Sequence, residues 1–298
     1  MTNFTKPHLA CDADISKINY PVLVSAKLDG CRALNVSGKL YARTLKRFRN
    51  KELNELLDRP EYAGLDGELT IGELTCPSLC RDTSSVVNSF DKPARSVIWN
   101  VFDYLHEDAI HLPYKERIDI AAIKFANDAW VHVIPYELVD TETRLLELVD
   151  IHVANGHEGS IGRDPEGMHK NGRATTSEGA YIRFKGFVDE EAECYGLVEA
   201  MQNNNVAETN ELGRTSRSTH KENLTAKGMV GSLLCRSAKW GEFIVGSGDM
   251  SHAERKHYWE NQSEVVGKMI TFKSFPFGVK GRPRFPTFKF IRDPVDIV

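Results

Sequence analysis

At 298 residues, with 41% hydrophobic and 27% charged side chains, the chain has the make-up of a globular protein of about two domains. No apolar run approaches the ~18 residues of a membrane span, and the opening Met1-Thr2-Asn3-Phe4-Thr5-Lys6-Pro7 lacks a hydrophobic signal region, so a cytoplasmic protein, or one of the host cytoplasm if viral, is expected. A formal charge of -4 argues against a uniformly basic nucleic-acid binder, and the six cysteines, with no CxxC pair, are read as reduced thiols.

In chain order, Tyr20 to Lys27 reads as an apolar strand ending in lysine, and Arg32 to Arg43 as a hairpin about Ser37-Gly38. Counting outward from that turn pairs Val36 with Lys39, Leu34 with Tyr41, and Arg32 with Arg43. Two arginines opposed on one sheet face repel each other, so an anion between them is expected. Asn50 is the predicted N-cap of a helix carrying Leu53, Leu56 and Leu57. Thr141 opens another, with Leu145, Leu148, Val149 and His152, that stops at Asn155-Gly156. Between the two helices, Leu65 to Leu69 and Ser96 to Asp103 read as strands whose carboxylates lie beside apolar residues. Such acids are costly unless each meets a cation or a donor. His157-Glu158-Gly159-Ser160-Ile161-Gly162-Arg163 repeats the pattern, and Tyr181-Ile182-Arg183-Phe184-Lys185 sets two cations on one strand face.

After Gly186 the composition turns to strands with polar loops, which predicts a small barrel. Ser251-His252-Ala253-Glu254 is a capping-box pattern for a helix running through Trp259, and Met269 to Phe272 and Phe288 to Ile291 read as closing strands. Charge is uneven here: Val265 to Arg292 holds seven Lys/Arg and no Asp/Glu, and Gln202 to Lys227 is rich in polar and basic donors. Both stretches suit a nucleic-acid backbone.

The motifs form an ordered series: Lys27-Leu28-Asp29-Gly30-Cys31-Arg32, Ala42-Arg43-Thr44-Leu45, Leu65-Asp66-Gly67-Glu68, Val101-Phe102-Asp103-Tyr104, Glu158 to Arg163, Tyr181 to Lys185, and a terminal Arg284 to Arg292. This series resembles the covalent nucleotidyltransferases, and most closely the compact ATP-dependent DNA ligases of bacteriophage type, over nearly the whole chain. Arg163 and Arg183 depart from it, standing where many relatives carry lysine. A planar fork there replaces a point charge.

The resemblance implies an α+β fold: a nucleotidyltransferase (adenylation) domain of antiparallel sheets and helices at 1–187, then an OB-fold β-barrel domain at 188–298. It implies ATP-dependent sealing of 5′-phosphate/3′-hydroxyl nicks in duplex DNA through a lysyl-AMP and a DNA-adenylate, in replication, repair or recombination. Lys27 is the implied catalytic nucleophile. Arg32, Arg43, Glu68, Phe102, Arg183, Lys185, Arg284 and Arg292 are implied around the nucleotide, with Phe102 stacked on adenine and Arg43 a candidate for the nick phosphate. Glu158 and Glu68 are the implied ligands of Mg2+ or Mn2+, and the partner is nicked double-stranded DNA bound by a monomer. An RNA ligase or a capping-type nucleotidyltransferase shares the Lys27 motif, but the barrel and the Arg284 to Arg292 ending favour a DNA ligase. A non-catalytic nucleic-acid-binding barrel leaves the acid and base set of the first domain unexplained. Gly246-Ser247-Gly248 lacks the third glycine and the βαβ unit of a dinucleotide site.

Overall fold

A computed structural model of the protein describes residues 6–275 and 281–292, so Met1 to Thr5 of the opening segment and Lys280 of the basic run lie outside the described residues. The chain divides into two units, Met1–Gly186 and Phe187–Val298.

In the first unit, the short strands β1 (His8–Leu9) and β2 (Cys11–Asp12) precede β3 (Val22–Ala26). Val22, Leu23 and Val24 point alternately to opposite faces and are all buried, which marks a strand covered on both sides. Hairpin strands β4 (Cys31–Val36) and β5 (Lys39–Ala42) follow, and the turn residues Ser37 and Gly38 take φ of 51° and 82°. Positive φ at both positions matches the strand twist of a two-residue hairpin. The register is the one counted from the turn, with Val36 opposite Lys39 and Leu34 opposite Tyr41. It ends at Ala33 and Ala42, one pair short of Arg32 and Arg43. The expected pair of opposed arginines is therefore not formed, because Arg32 turns to a carboxylate on the neighbouring strand.

Asn50 caps α1 (Lys51–Leu57): its Oδ1 accepts from the Leu53 amide at 2.9 Å, while its Nδ2 donates to the carbonyls of Val86 and Lys92, each at 2.9 Å. Next come β6 (Leu65–Ile71), α2 (Leu79–Val87), β7 (Val97–Tyr104), α3 (Tyr114–Lys124) and β8 (Val131–Val133). These complete a sheet of order β5-β4-β6-β7-β8, whose core gathers Leu53, Leu57, Leu69, Val87, Trp99 and Ile118 from strands and helices. The unit ends with β9 (Glu137–Val139), α4 (Glu142–Ala154), β10 (Gly159–Arg163), β11 (Gly172–Arg173) and β12 (Tyr181–Lys185). β9, β10 and β12 join β2 and β3 in a second sheet of order β2-β12-β10-β3-β9, while β11 pairs with β1. Val22 and Val24 pack with Leu145 and Leu148 of α4, while Leu23 joins the first core, so β3 belongs to both.

In the second unit, β13 (Val188–Asn203) leads into an excursion, β14 (Ala207–Thr209) and β15 (Thr215–Arg217), and the chain returns as β16 (Leu224–Ser237). With β17 (Gly241–Gly246), α5 (His252–Glu260), β18 (Met269–Ser274) and β19 (Thr287–Ile291) it closes a barrel of order β13-β16-β17-β19-β18. Both reciprocal bonds of the Ser251–Glu254 capping box are present. Asn205 is buried at the root of the excursion, donating to the carbonyls of Ser218 and His220 and accepting from Asn223, whereas Arg214 to Arg217 are exposed. Three cations of the basic run are charge-paired in space: Lys273 meets Asp249 at 3.5 Å, Lys289 meets Asp189 at 2.6 Å, and Arg292 meets Glu191 at 2.8 Å.

Replacing Asn50 with alanine removes a helix cap, worth ~1 kcal/mol, and orphans two carbonyls at a further cost of about 1 kcal/mol or more. Chemical denaturation of Asn50→Ala is expected to show a clearly lower midpoint, and an unchanged midpoint contradicts the role given to this side chain.

Candidate active site

The chain bends at Gly30, between Lys27 and Arg32, where a Cβ would stand 2.2 Å from the Leu69 carbonyl oxygen. Only glycine lets the backbone press this closely on β6. Lys27 follows β3 directly, its amide donating to the Gly159 carbonyl at 2.9 Å and its carbonyl accepting from the Glu158 amide at 3.3 Å. Lys27 and Glu158 are thus fixed side by side by backbone alone, and the Lys27 Nζ is bonded to Glu158 Oε2. The other oxygen of Glu158 lies 3.6 Å from Lys185 Nζ. Burial lowers the Lys185 pKa, with Arg183 and Lys27 adding to the effect and Glu158 opposing it.

Arg32 grips Asp66 with both arms of its fork, Nε to Oδ1 at 2.9 Å and Nη2 to Oδ2 at 2.6 Å. Burial works against the Arg32 charge, but Asp66 overcomes it and holds the group above the ordinary arginine range. The same guanidinium lies 5.1 Å from the centre of the Phe102 ring. Glu68 stands opposite Arg32 in the β4–β6 register. Burial raises its carboxyl to about 7, against the pull of Lys27 and Arg32. Arg183 makes a second fork, Nε to Asp12 Oδ1 at 2.6 Å and Nη2 to Oδ2 at 3.1 Å. Arg43 is exposed and makes no ion pair with any described residue.

Lys27, Arg32, Arg43, Glu68, Phe102 and Arg183 line one cavity of about 440 Å³ in the first unit. Glu158 and Lys185 join this set through Lys27. Arg284 and Arg292 belong to the second unit, Arg284 lying 5.4 Å from the ring centres of both Phe275 and Phe285. Among the described residues no group of three or more His, Cys, Asp or Glu could hold a metal by itself. Mg2+ is commonly bound by one or two carboxylates together with substrate phosphates and waters, and the oxygens of Glu68 and Glu158 fit that donor set.

Sequence reasoning missed Asp12 and Arg117 and left Asp103 without its partners. Asp103, seen only as an acid beside an apolar strand, binds Arg117 through Nε at 2.8 Å and Nη2 at 3.1 Å, and Arg163 through Nη1 at 3.2 Å. Arg163 is buried and faces the Tyr181 ring at 3.5 Å, and it lines the same cavity as Lys27, where its Nε and Nη2 find no hydrogen-bond partner among the described residues. Asp12 lies ahead of every motif, where no local pattern marks it. No described helix is long and apolar enough to cross a membrane.

Residues 225–292 match the family model of the DNA ligase OB-like domain. No curated protein matches the chain by sequence. Among solved structures, the Chlorella virus DNA ligase-adenylate is 27% identical, with 97% of this chain and 100% of that one covered at a TM-score of 0.53. A Lig E DNA ligase, described as binding DNA with a minimal scaffold, is 23% identical over 97% of this chain and 100% of its own, at a TM-score of 0.71, and supports the fold. By fold along nearly its whole length, and by family over residues 225–292, the chain resembles the compact ATP-dependent DNA ligases.

Proposed function

We propose that the protein is an ATP-dependent DNA ligase that seals nicks carrying a 5′-phosphate and a 3′-hydroxyl. The observation that carries this reading is the pinning of Lys27 beside Glu158 at the mouth of a cavity lined by Arg32, Arg43 and Arg183. A lysine held by backbone bonds among cations suits attack on a polyanion, because phosphoryl transfer depends on positioning and charge neutralisation.

Lys27 Nζ, once its proton has left through the Glu158 carboxylate to which it is bonded, forms a bond to the α-phosphorus of ATP. The bond from that phosphorus to the bridging oxygen breaks, and pyrophosphate departs with the electron pair. Arg183 and Lys185 lie on one face of β12 and balance phosphate charge, while Phe102 offers a ring face to the adenine. Glu68 and Glu158 would hold Mg2+, which when bound neutralises phosphate charge. In the next step the 5′-phosphate of the nick attacks the lysyl phosphoramidate and takes AMP, freeing Lys27. The 3′-hydroxyl then attacks the nick phosphorus, closes the strand and expels AMP. Arg43, exposed and without an acidic partner, is the cation best placed to receive the nick phosphate. The excursion at Gln202 to Lys227 presents Arg214 and nearby polar groups as a second contact with the duplex.

Incubation with α-labelled ATP and Mg2+ is expected to label the wild type and not Lys27→Ala, and a chase with nicked duplex to discharge the label as the strand is sealed. No label on the wild type defeats the reading; label that is discharged by nicked RNA and not by nicked DNA moves the substrate. Arg43→Ala is expected to slow sealing of pre-adenylated enzyme about 10- to 100-fold, the loss of one charged hydrogen bond, with lysyl-AMP formation changed by no more than about threefold. Because burial raises the Glu68 carboxyl, protons compete with Mg2+ for it, and the Mg2+ concentration needed for half-maximal lysyl-AMP formation should fall as pH rises. Glu68→Gln is expected to be slower at every pH and to lose that pH dependence of the Mg2+ requirement.

A further inference from the structure

Arg183 is where this chain exchanges a point-like ammonium for a fork, and a fork has an orientation that must be set. β2 runs parallel to β12 with Asp12 in register with Arg183, which brings the two side chains together from segments 171 residues apart. Asp12 takes Nε and Nη2 of Arg183 in a two-bond pair, and no described group accepts from the remaining nitrogen, Nη1. The pair is anchored from behind: the Ala13 amide donates to the Arg183 carbonyl at 3.1 Å, and Cys11 beside Asp12 is buried. Arg183 lines the same cavity as Lys27, and Lys185, two residues on, shares its strand face.

We propose that Asp12 is a positioning residue for the nucleotide, locking the Arg183 guanidinium through Nε and Nη2 so that Nη1 is presented to a phosphate oxygen of ATP. The proposal rests on the nucleotidyl-transfer reading above and adds to it a residue outside every motif. Two-bond carboxylate–guanidinium pairs fix direction as well as distance, so Asp12 acts on nucleotide binding only through arginine. Lysine at 183 has no fork for Asp12 to hold, and the dependence on Asp12 disappears with it.

The test is lysyl-AMP formation from α-labelled ATP and Mg2+ in four full-length proteins: wild type, Asp12→Asn, Arg183→Lys, and the double variant, each checked for an unchanged melting temperature. Asp12→Asn is expected to raise KM for ATP about five- to tenfold with kcat within about twofold, and to change KM less than about twofold when added to Arg183→Lys. An unchanged KM in Asp12→Asn overturns the proposal, as does an equal rise in both backgrounds, which assigns Asp12 some task independent of the fork. If Asp12→Asn melts early, Asp12→Glu and its Arg183→Lys double carry the same comparison with the charge kept. Absence of label on the wild type is a different failure, that of the ligase reading itself.

Discussion

The first unit depends on one carboxylate. Asp103 receives Arg117 from α3 and Arg163 from β10, all three being almost wholly buried. Burial alone would raise its pKa, and the two guanidiniums reverse this and hold the carboxyl well below the usual carboxylate range. Removing one partner from such a group leaves a buried charge without compensation, a loss of about 3–5 kcal/mol. The geometry explains why it is kept. Asp103 follows Phe102 on one sheet, and Arg163 ends the strand that begins beside Glu158 on the other, so a single tie sets the Phe102 ring against the partner of Lys27.

The same economy of charge runs through the site. Arg32 has Asp66, Arg183 has Asp12, and Lys27 and Lys185 share Glu158. Each cation is held in place before any phosphate arrives, which reduces the ordering needed on binding. The arrangement also divides the cations into two kinds. Those with carboxylates are fixed in direction, whereas Arg43 stands exposed without one. On the proposed reading, a nucleotide that enters the same cavity at every turnover benefits from fixed donors. On that reading a nick phosphate arrives later, on a large partner, and an adaptable donor suits it.

Local rules carried much of this from sequence. The Ser37-Gly38 turn fixed the β4–β5 register, Asn50 and Thr141 marked two helix starts, and Ser251 with Glu254 marked a third, because each of these signals is contained within a few residues. The rule that a strand acid needs a cation was also sound, since Asp66 and Asp103 both have one. Identifying which cation was beyond that rule. The hairpin count set Arg32 against Arg43, yet the ladder stops one pair early and Arg32 is neutralised by Asp66. Asp12 and Arg183 are joined by strand pairing across 171 residues, and Arg163 reaches Asp103 on the other sheet while lining the Lys27 cavity. Pairings of this kind are settled by sheet topology, which no short window contains.

The barrel shows the reverse of a charge run. Its acids cluster on one strand while their cations come from two other stretches, with Asp189 and Glu191 of β13 meeting Lys289 and Arg292 near the end of the chain, and Glu190 and Glu193 meeting Lys239 and Arg236 around the end of β16. A polyanion approaching those cations has to displace protein carboxylates as well as mobile salt ions. Fewer counterions are then released per phosphate engaged, so affinity at this face should fall with rising salt less steeply than its tally of basic residues suggests.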